Sequence, residues 1–295
     1  MSAPQRQAAP GLLARARALE ASDPLEAATY YHQARLADPA CLEAHNALER
    51  LGSVHAYGKW MRVDSVIDER DDIYRFFEGH EGVTNPIRDY LADGWRTLSE
   101  LMLLLDREGK PLTGVRSMLE FASGFGRFTR HLVRVLPGRV TCCDVLPGST
   151  DFVRQRFGVQ AFDSQADPAS IAWPGRYDLI FILSFFTHVP LQAWPKWLAR
   201  FDAALDEDGL LVFSIHSPEY AREHSVKFDD RGGAFLRSSE QSALSTEEYG
   251  TTFATWERVR REIEAGIPGA QVEIHPRTFW VAQDAVVVRR RRKNP

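Results

Sequence analysis

The sequence predicts an α/β protein, with a doubly wound, mostly parallel seven-stranded sheet, helices on both faces and an N-terminal helical region. From residue 115 onward, short apolar runs alternate with helical patterns, which is typical of a parallel sheet. The runs 177–183 and 210–215 are continuously apolar, as expected for strands buried on both faces. A glycine-rich turn at 122–126 joins a predicted strand to a predicted helix, which favours a nucleotide-binding α/β fold.

Composition excludes several classes of protein. The chain has 295 residues, 44% of them hydrophobic and 26% charged, with a net charge of −4. This is ordinary globular composition, and it predicts neither nucleic acid nor a membrane surface as a partner. Three cysteines are too few for a disulfide framework or a four-cysteine zinc site. With no long apolar run and no secretory signal, the expected location is cytoplasmic; the basic segment 289–293 is a local exception.

The N-terminal part of the chain predicts helices. Residues 1–10 are expected to form a disordered tail, and 11–110 a helical region. Asp23-Pro24 and Asp38-Pro39 each give the signature of a helix start. The two helices that follow resemble one tetratricopeptide repeat, but a plain helical hairpin is the favoured interpretation because repeats normally occur in threes. Asn85-Pro86 begins a long amphipathic helix that ends at Gly109.

The remaining residues, 111–295, are expected to form one α/β domain. The predicted strands are 115–121, 139–144, 159–163, 177–183, 210–215, 271–280 and 281–289. The predicted helices are 127–136, 148–157, 191–205 and 255–265. Residues 217–252 show no clear period and are expected to form an insertion.

The turn after the first strand carries the chemistry. It reads Glu120-Phe121-Ala122-Ser123-Gly124-Phe125-Gly126, and its glycines let the backbone approach a ligand closely. A dinucleotide site prefers a third glycine where Thr129 stands, and a pyrophosphate is disfavoured beside the Glu120 carboxylate. A ligand with positive charge is favoured there. S-adenosylmethionine, which carries a sulfonium and an ammonium, meets this requirement.

At this point the sequence resembles the class I S-adenosylmethionine-dependent methyltransferases, of a bacterial small-molecule or glycan type. Their first motif is acid-x-G-x-G-x-G, and Ala122 replaces its first glycine here. Asp144, 18 residues after Gly126, matches the acid that binds the ribose hydroxyls. The segment 177–190 is similar to the family's fourth-strand block, while Gly209 stands alone where the family usually has two glycines.

The resemblance implies S-adenosyl-L-methionine as cofactor, no metal, and an enzyme that methylates. The implied cofactor-binding residues are Glu120, Ala122, Ser123, Gly124, Gly126, Asp144, Val145, Asp163, Ser164 and Ser184. For a hydroxyl acceptor a base must take the proton, and neutral histidine suits that role near pH 7. His188 and His216 are therefore the candidate catalytic residues, with a structural histidine as the alternative interpretation of each.

Three functions remain open on the sequence alone. The first is O-methylation of a sugar, glycan or secondary-metabolite hydroxyl, with 217–252 and 52–110 building the acceptor pocket. The second is a protein- or peptide-directed methyltransferase that docks through the N-terminal helices. The third is a non-catalytic binding module that uses the cofactor fold for interaction. The oligomeric state is not predicted.

Overall fold

The computed structural model describes residues 3–238 and 249–290. The chain divides into two compact units, Met1–Trp95 and Arg96–Pro295. The boundary falls inside one long helix, so it differs from the predicted boundary at residues 110 and 111, which followed the end of that helix.

The first unit is helical. Its helices are α1 (Ala3–Leu19), α2 (Pro24–Ala37), α3 (Leu42–Arg50), α4 (Tyr57–Met61), α5 (Asp72–Gly79) and the first part of α6 (Pro86–Arg107). Asp23 caps α2 by accepting a hydrogen bond from the Glu26 N–H. Helix α1 begins at Ala3, so the prediction of a disordered tail does not hold for residues 3–10. That segment is rich in alanine and glutamine, which are good helix formers.

The second unit contains the predicted seven-stranded sheet. Its strands are β1 (Met118–Phe121), β2 (Val140–Asp144), β3 (Gln160–Asp163), β4 (Tyr177–Ile182), β5 (Leu205–His216), β8 (Gln271–Phe279) and β9 (Gln283–Arg289), and β6 (Gly233–Leu236) and β7 (Thr251–Ala254) form a separate hairpin. The order in the sheet is β3-β2-β1-β4-β5-β9-β8. The first five strands are parallel, and β9 is antiparallel to both neighbours. The predicted fold class is confirmed.

Helices and two apolar layers cover the sheet. The helices are α7 (Thr129–Val135), α8 (Ser149–Phe157), α9 (Trp194–Ala204), α10 (Pro218–Glu223) and α11 (Trp256–Gly266). Leu119 and Phe121 point into one apolar layer, whereas Met118 lies in the other with Leu132 of α7. Alternating side chains on β1 therefore face opposite layers, and the strand is buried on both faces.

Parallel strands place the chemistry at one edge. The carboxyl ends of β1 to β5 lie together, and the glycine turn, Asp144, Asp163 and His216 are all at that edge. Open α/β sheets bind ligands there. The predicted insertion supplies α10 and the β6–β7 hairpin, and β7 lies against this edge because the Thr252 N–H donates to the Thr187 carbonyl. Residues 239–248 of the insertion lie outside the described residues.

Candidate active site

The glycine turn has three residues in the left-handed region. Ala122, Gly124 and Gly126 have φ values of +60°, +54° and +77°. Ala122 thus keeps the turn despite its methyl group, at a cost of about 1–2 kcal/mol for an L residue. Gly126 is required for a second reason, because a Cβ there would lie 2.3 Å from Cε2 of Phe157. A Cβ at Gly124 would meet no atom within 4 Å, so this part of the backbone faces open space.

Asp144 connects the end of β2 to the turn. Its Oδ2 accepts a hydrogen bond from the Gly124 N–H at 2.7 Å, and its Oδ1 accepts one from the Leu146 N–H at 2.8 Å. The carboxylate is 5% exposed. Carboxylate oxygens have two lone pairs each, and a carboxylate is the type of group that accepts hydrogen bonds from a diol. Asp144 therefore fixes the turn with a group of that type.

Glu120 lies under the turn, inside the protein. Its Oε2 accepts hydrogen bonds from Thr129 Oγ1 at 2.8 Å and from Cys142 Sγ at 3.8 Å. Burial raises the pKa of Glu120 to about 8, and the charge of Asp144 adds to the rise. The sequence suggested a carboxylate at the rim. The structure instead places a buried carboxyl group there, and its raised pKa favours the protonated form.

The remaining predicted cofactor residues border Asp144. Asp163 pairs with Asp144 in the register of β2 and β3, and it accepts a hydrogen bond from Thr150 Oγ1 at 2.5 Å. The Ser164 N–H donates to the Asp144 carbonyl at 2.7 Å. Val145 follows Asp144 and is 43% exposed. Ser123 is buried within the turn. The contact of these four residues with a cofactor remains a prediction.

Ser184 follows β4 and occupies a strained position. Its φ is +56°, in the left-handed region, and its N–H donates to Ser214 Oγ at 2.8 Å. Its hydroxyl lies 3.0 Å from Nε2 of Gln283, which donates to it. Gln283 is opposite His216 in the pairing of β5 with β9. Gln283 is not predictable as a site residue from the sequence, because only the fold brings residues 99 positions apart into contact.

The two candidate catalytic histidines lie together beside β7. Nδ1 of His188 donates to the Gly250 carbonyl at 2.7 Å, and Nδ1 of His216 donates to the Thr252 carbonyl at 2.9 Å. Their ring centroids are 6.5 Å apart. A carbonyl can only accept a hydrogen bond, so each neutral ring carries its proton on Nδ1 and its lone pair on Nε2.

Aromatic side chains fix the plane of each imidazole. His216 stacks on Phe253 at 4.6 Å and on Tyr220 at 5.2 Å, and His188 stacks on Tyr249 at 4.7 Å. Burial lowers the pKa of His216 to about 4. Its ring is therefore neutral near pH 7. The sequence does not predict the stacking role of the segment Tyr249–Phe253.

A cluster with the donor types of a metal site lies at the opposite edge of the sheet. Glu108, Glu273 and His275 approach one another there, among the residues that the structure describes. Arg289 donates to carboxylate oxygens of both Glu108 and Glu273. Because a guanidinium already occupies the cluster, it is an ion-pair network rather than a metal centre.

The turn fits the cofactor that the sequence predicts. An open stretch of backbone at Gly124 leaves room for a ligand, and Asp144 lies beside it, where its carboxylate accepts a hydrogen bond from the Gly124 N–H. Residues 118–209 match a family model described as a methyltransferase domain. Residues 118–209 form a methyltransferase domain. This match confirms the predicted methyltransferase and its enzyme class.

Several solved structures are similar to the chain, and the three described here have TM-scores below 0.5. The S-adenosylmethionine-dependent methyltransferase SibL has 17% identity and a TM-score of 0.49, with 91% of this chain and 74% of that chain covered. DesVI of Streptomyces venezuelae has 16% identity and a TM-score of 0.49, with 76% and 100% covered. The 1,6-didemethyltoxoflavin-N1-methyltransferase of Burkholderia thailandensis has 18% identity and a TM-score of 0.46, with 69% and 81% covered. No curated protein matches the chain in sequence.

Among the residues that the structure describes, no helix combines the length and the apolar character needed to cross a membrane. Arg291–Lys293, the end of the basic segment, lie outside the described residues.

Proposed function

We propose that the methyltransferase domain methylates a hydroxyl group of a small-molecule or glycan acceptor. The observation that carries this proposal is His216. Its Nδ1–H is held by the Thr252 carbonyl, and stacking on Phe253 and Tyr220 fixes its plane. The remaining lone pair on Nε2 is the type of group that accepts a hydroxyl proton during transfer.

The assignment of the cofactor residues is part of the same proposal. When bound, S-adenosylmethionine supplies an activated methyl group to a nucleophile in line with it. Gly124 and Gly126 would hold it by close backbone approach, and Asp144 would accept hydrogen bonds from its ribose hydroxyls. Ser164 and Asp163 would border the adenine of the cofactor. Glu120, once ionised, would offset its positive charge.

His188 has a different role in this proposal. The residue is 6% exposed, and its ring is fixed by both the Gly250 carbonyl and Tyr249. We assign His188 a structural role: it holds β7 in place, and β7 provides the Thr252 carbonyl that orients His216. His216 is the base, and a hydroxyl acceptor is the substrate that needs one. Amines and thiols can be methylated without a strong base.

A methyl-transfer screen tests the proposal. The full chain is incubated with tritiated S-adenosylmethionine and separate panels of phenols, methyl glycosides, amines and peptides. The proposal predicts incorporation into hydroxyl compounds, lowered about 10²–10⁴-fold in His216→Ala with unchanged affinity for S-adenosylhomocysteine. Incorporation into amines or peptides alone, at rates that His216→Ala leaves unchanged, contradicts it.

A further inference from the structure

A buried guanidinium lies against the cofactor turn and has no role in the function proposed so far. Arg130 of α7 is only 1% exposed. Its Nε–H donates to the carbonyl of Gly126 at 3.0 Å, and its backbone N–H donates to the same carbonyl at 3.2 Å. One residue therefore provides two donors to one carbonyl of the turn, and one of them is charged.

The same side chain holds the turn through an aromatic ring. The Arg130 guanidinium lies 5.3 Å from the centroid of Phe157, which is a cation–π distance. The Phe157 ring also occupies the place where a Cβ of Gly126 would lie. Gly126 is thus held between Arg130 and α8, while Asp144 holds Gly124 from the other side.

The turn needs this support because of its backbone. Ala122, Gly124 and Gly126 all have left-handed φ values, and glycines lose more conformational freedom on ordering than other residues. If the turn became ordered only when the ligand bound, the lost conformational entropy would weaken the affinity for that ligand. An arginine is suited to holding it, since its planar group both donates and stacks in one orientation.

We propose that Arg130 is a positioning residue that fixes the glycine turn for the amino-acid half of the cofactor. The proposal rests on the assignment of the turn as the cofactor site. Strands β2 and β3 lie on one side of β1, and β4 lies on the other. A ligand with its ribose at Asp144 and its base near Asp163 therefore reaches the turn with its other end.

The test compares two ligands on the full chain by calorimetry. S-adenosylhomocysteine contains the amino-acid half, and 5′-methylthioadenosine lacks it. The variants are Arg130→Met, which removes charge and donors, and Arg130→Lys, which keeps the charge but not the planar geometry. Arg139→Lys is the matched control, because Arg139 donates to the carbonyls of Thr113 and Val115 at the other edge of the sheet.

The expected result is a loss of affinity that is larger for S-adenosylhomocysteine than for 5′-methylthioadenosine. Arg130→Met should raise the Kd of S-adenosylhomocysteine about tenfold, as expected for a lost charge-assisted hydrogen bond, and that of 5′-methylthioadenosine less than about threefold. Arg130→Lys should show the same selectivity, and it carries the test if the methionine variant does not fold. Arg139→Lys should leave the ratio of the two Kd values unchanged.

Two results contradict this inference and leave the proposed function intact. One is an equal weakening of both ligands, which indicates a merely structural role. The other is unchanged binding of S-adenosylhomocysteine in both Arg130 variants while the unmodified chain binds it. If the unmodified chain does not bind S-adenosylhomocysteine at all, the proposed function and this inference both fail.

Discussion

Replacement of Glu120 by glutamine should change how the stability of the protein depends on pH. Glu120 is 4% exposed, and burial raises its pKa from 4.5 to about 8. In the unfolded chain the carboxyl ionises near its ordinary pKa, so between pH 4.5 and 8 the folded state binds the extra proton. The free energy of unfolding therefore falls as pH rises through that window. A glutamine at this position cannot ionise.

The magnitude follows from the width of the window. From pH 6 to pH 8 the unfolded carboxyl is ionised and the folded one is mostly protonated. The free energy of unfolding should fall by about 1.4 kcal/mol for each pH unit, or about 2–3 kcal/mol over this range. The glutamine oxygen can still accept the hydrogen bond from Thr129, so the variant should be close to the unmodified chain in stability at pH 6.

Urea unfolding at pH 6 and pH 9 measures this difference. The control is Glu257→Gln, at an exposed position of α11, which should follow the unmodified chain. The Glu120 variant should lose about 2–3 kcal/mol less than either of them between the two pH values. If all three proteins show the same pH dependence, Glu120 is not a buried neutral acid and the description of the turn's interior is wrong.

Three further changes test individual contacts. Asp144→Ala should weaken S-adenosylhomocysteine binding by about 1–3 kcal/mol in a titration, because it removes charge-assisted hydrogen bonds; unchanged affinity refutes the ribose assignment. Gly126→Ala should lose about 1–3 kcal/mol more unfolding free energy than Gly124→Ala, since only the former meets Phe157; equal losses contradict the packing. His216→Ala should lower kcat with hydroxyl acceptors about 10²–10⁴-fold at constant cofactor affinity, and a full rate excludes it as base.

The sheet was predictable because its signals are local. Apolar runs such as 177–183 mark strands buried on both faces, and the glycine turn fixes where the first strand meets its helix. The edge that holds Asp144, Asp163 and His216 then follows from parallel strand order. The strand bounds shifted by a few residues, and β5 begins at Leu205 rather than at residue 210.

The detail of the site was not predictable in the same way. The Glu120 side chain turns inward because successive residues of a strand face opposite layers, which a motif comparison does not show. The carbonyl partners of the histidines, Gly250 and Thr252, come from an insertion without clear period. In the sequence, Arg130 looks like any other residue of a predicted helix. Only the structure distinguishes it, because it is buried against Phe157.

Calorimetric titration of the full chain with S-adenosylhomocysteine tests the central claim most directly. The account predicts one saturable site, and binding that becomes weaker in Asp144→Ala while Arg139→Lys binds like the unmodified chain. Absence of heat at high protein concentration, or binding indifferent to Asp144, would show that the turn between β1 and α7 is not where the cofactor is held.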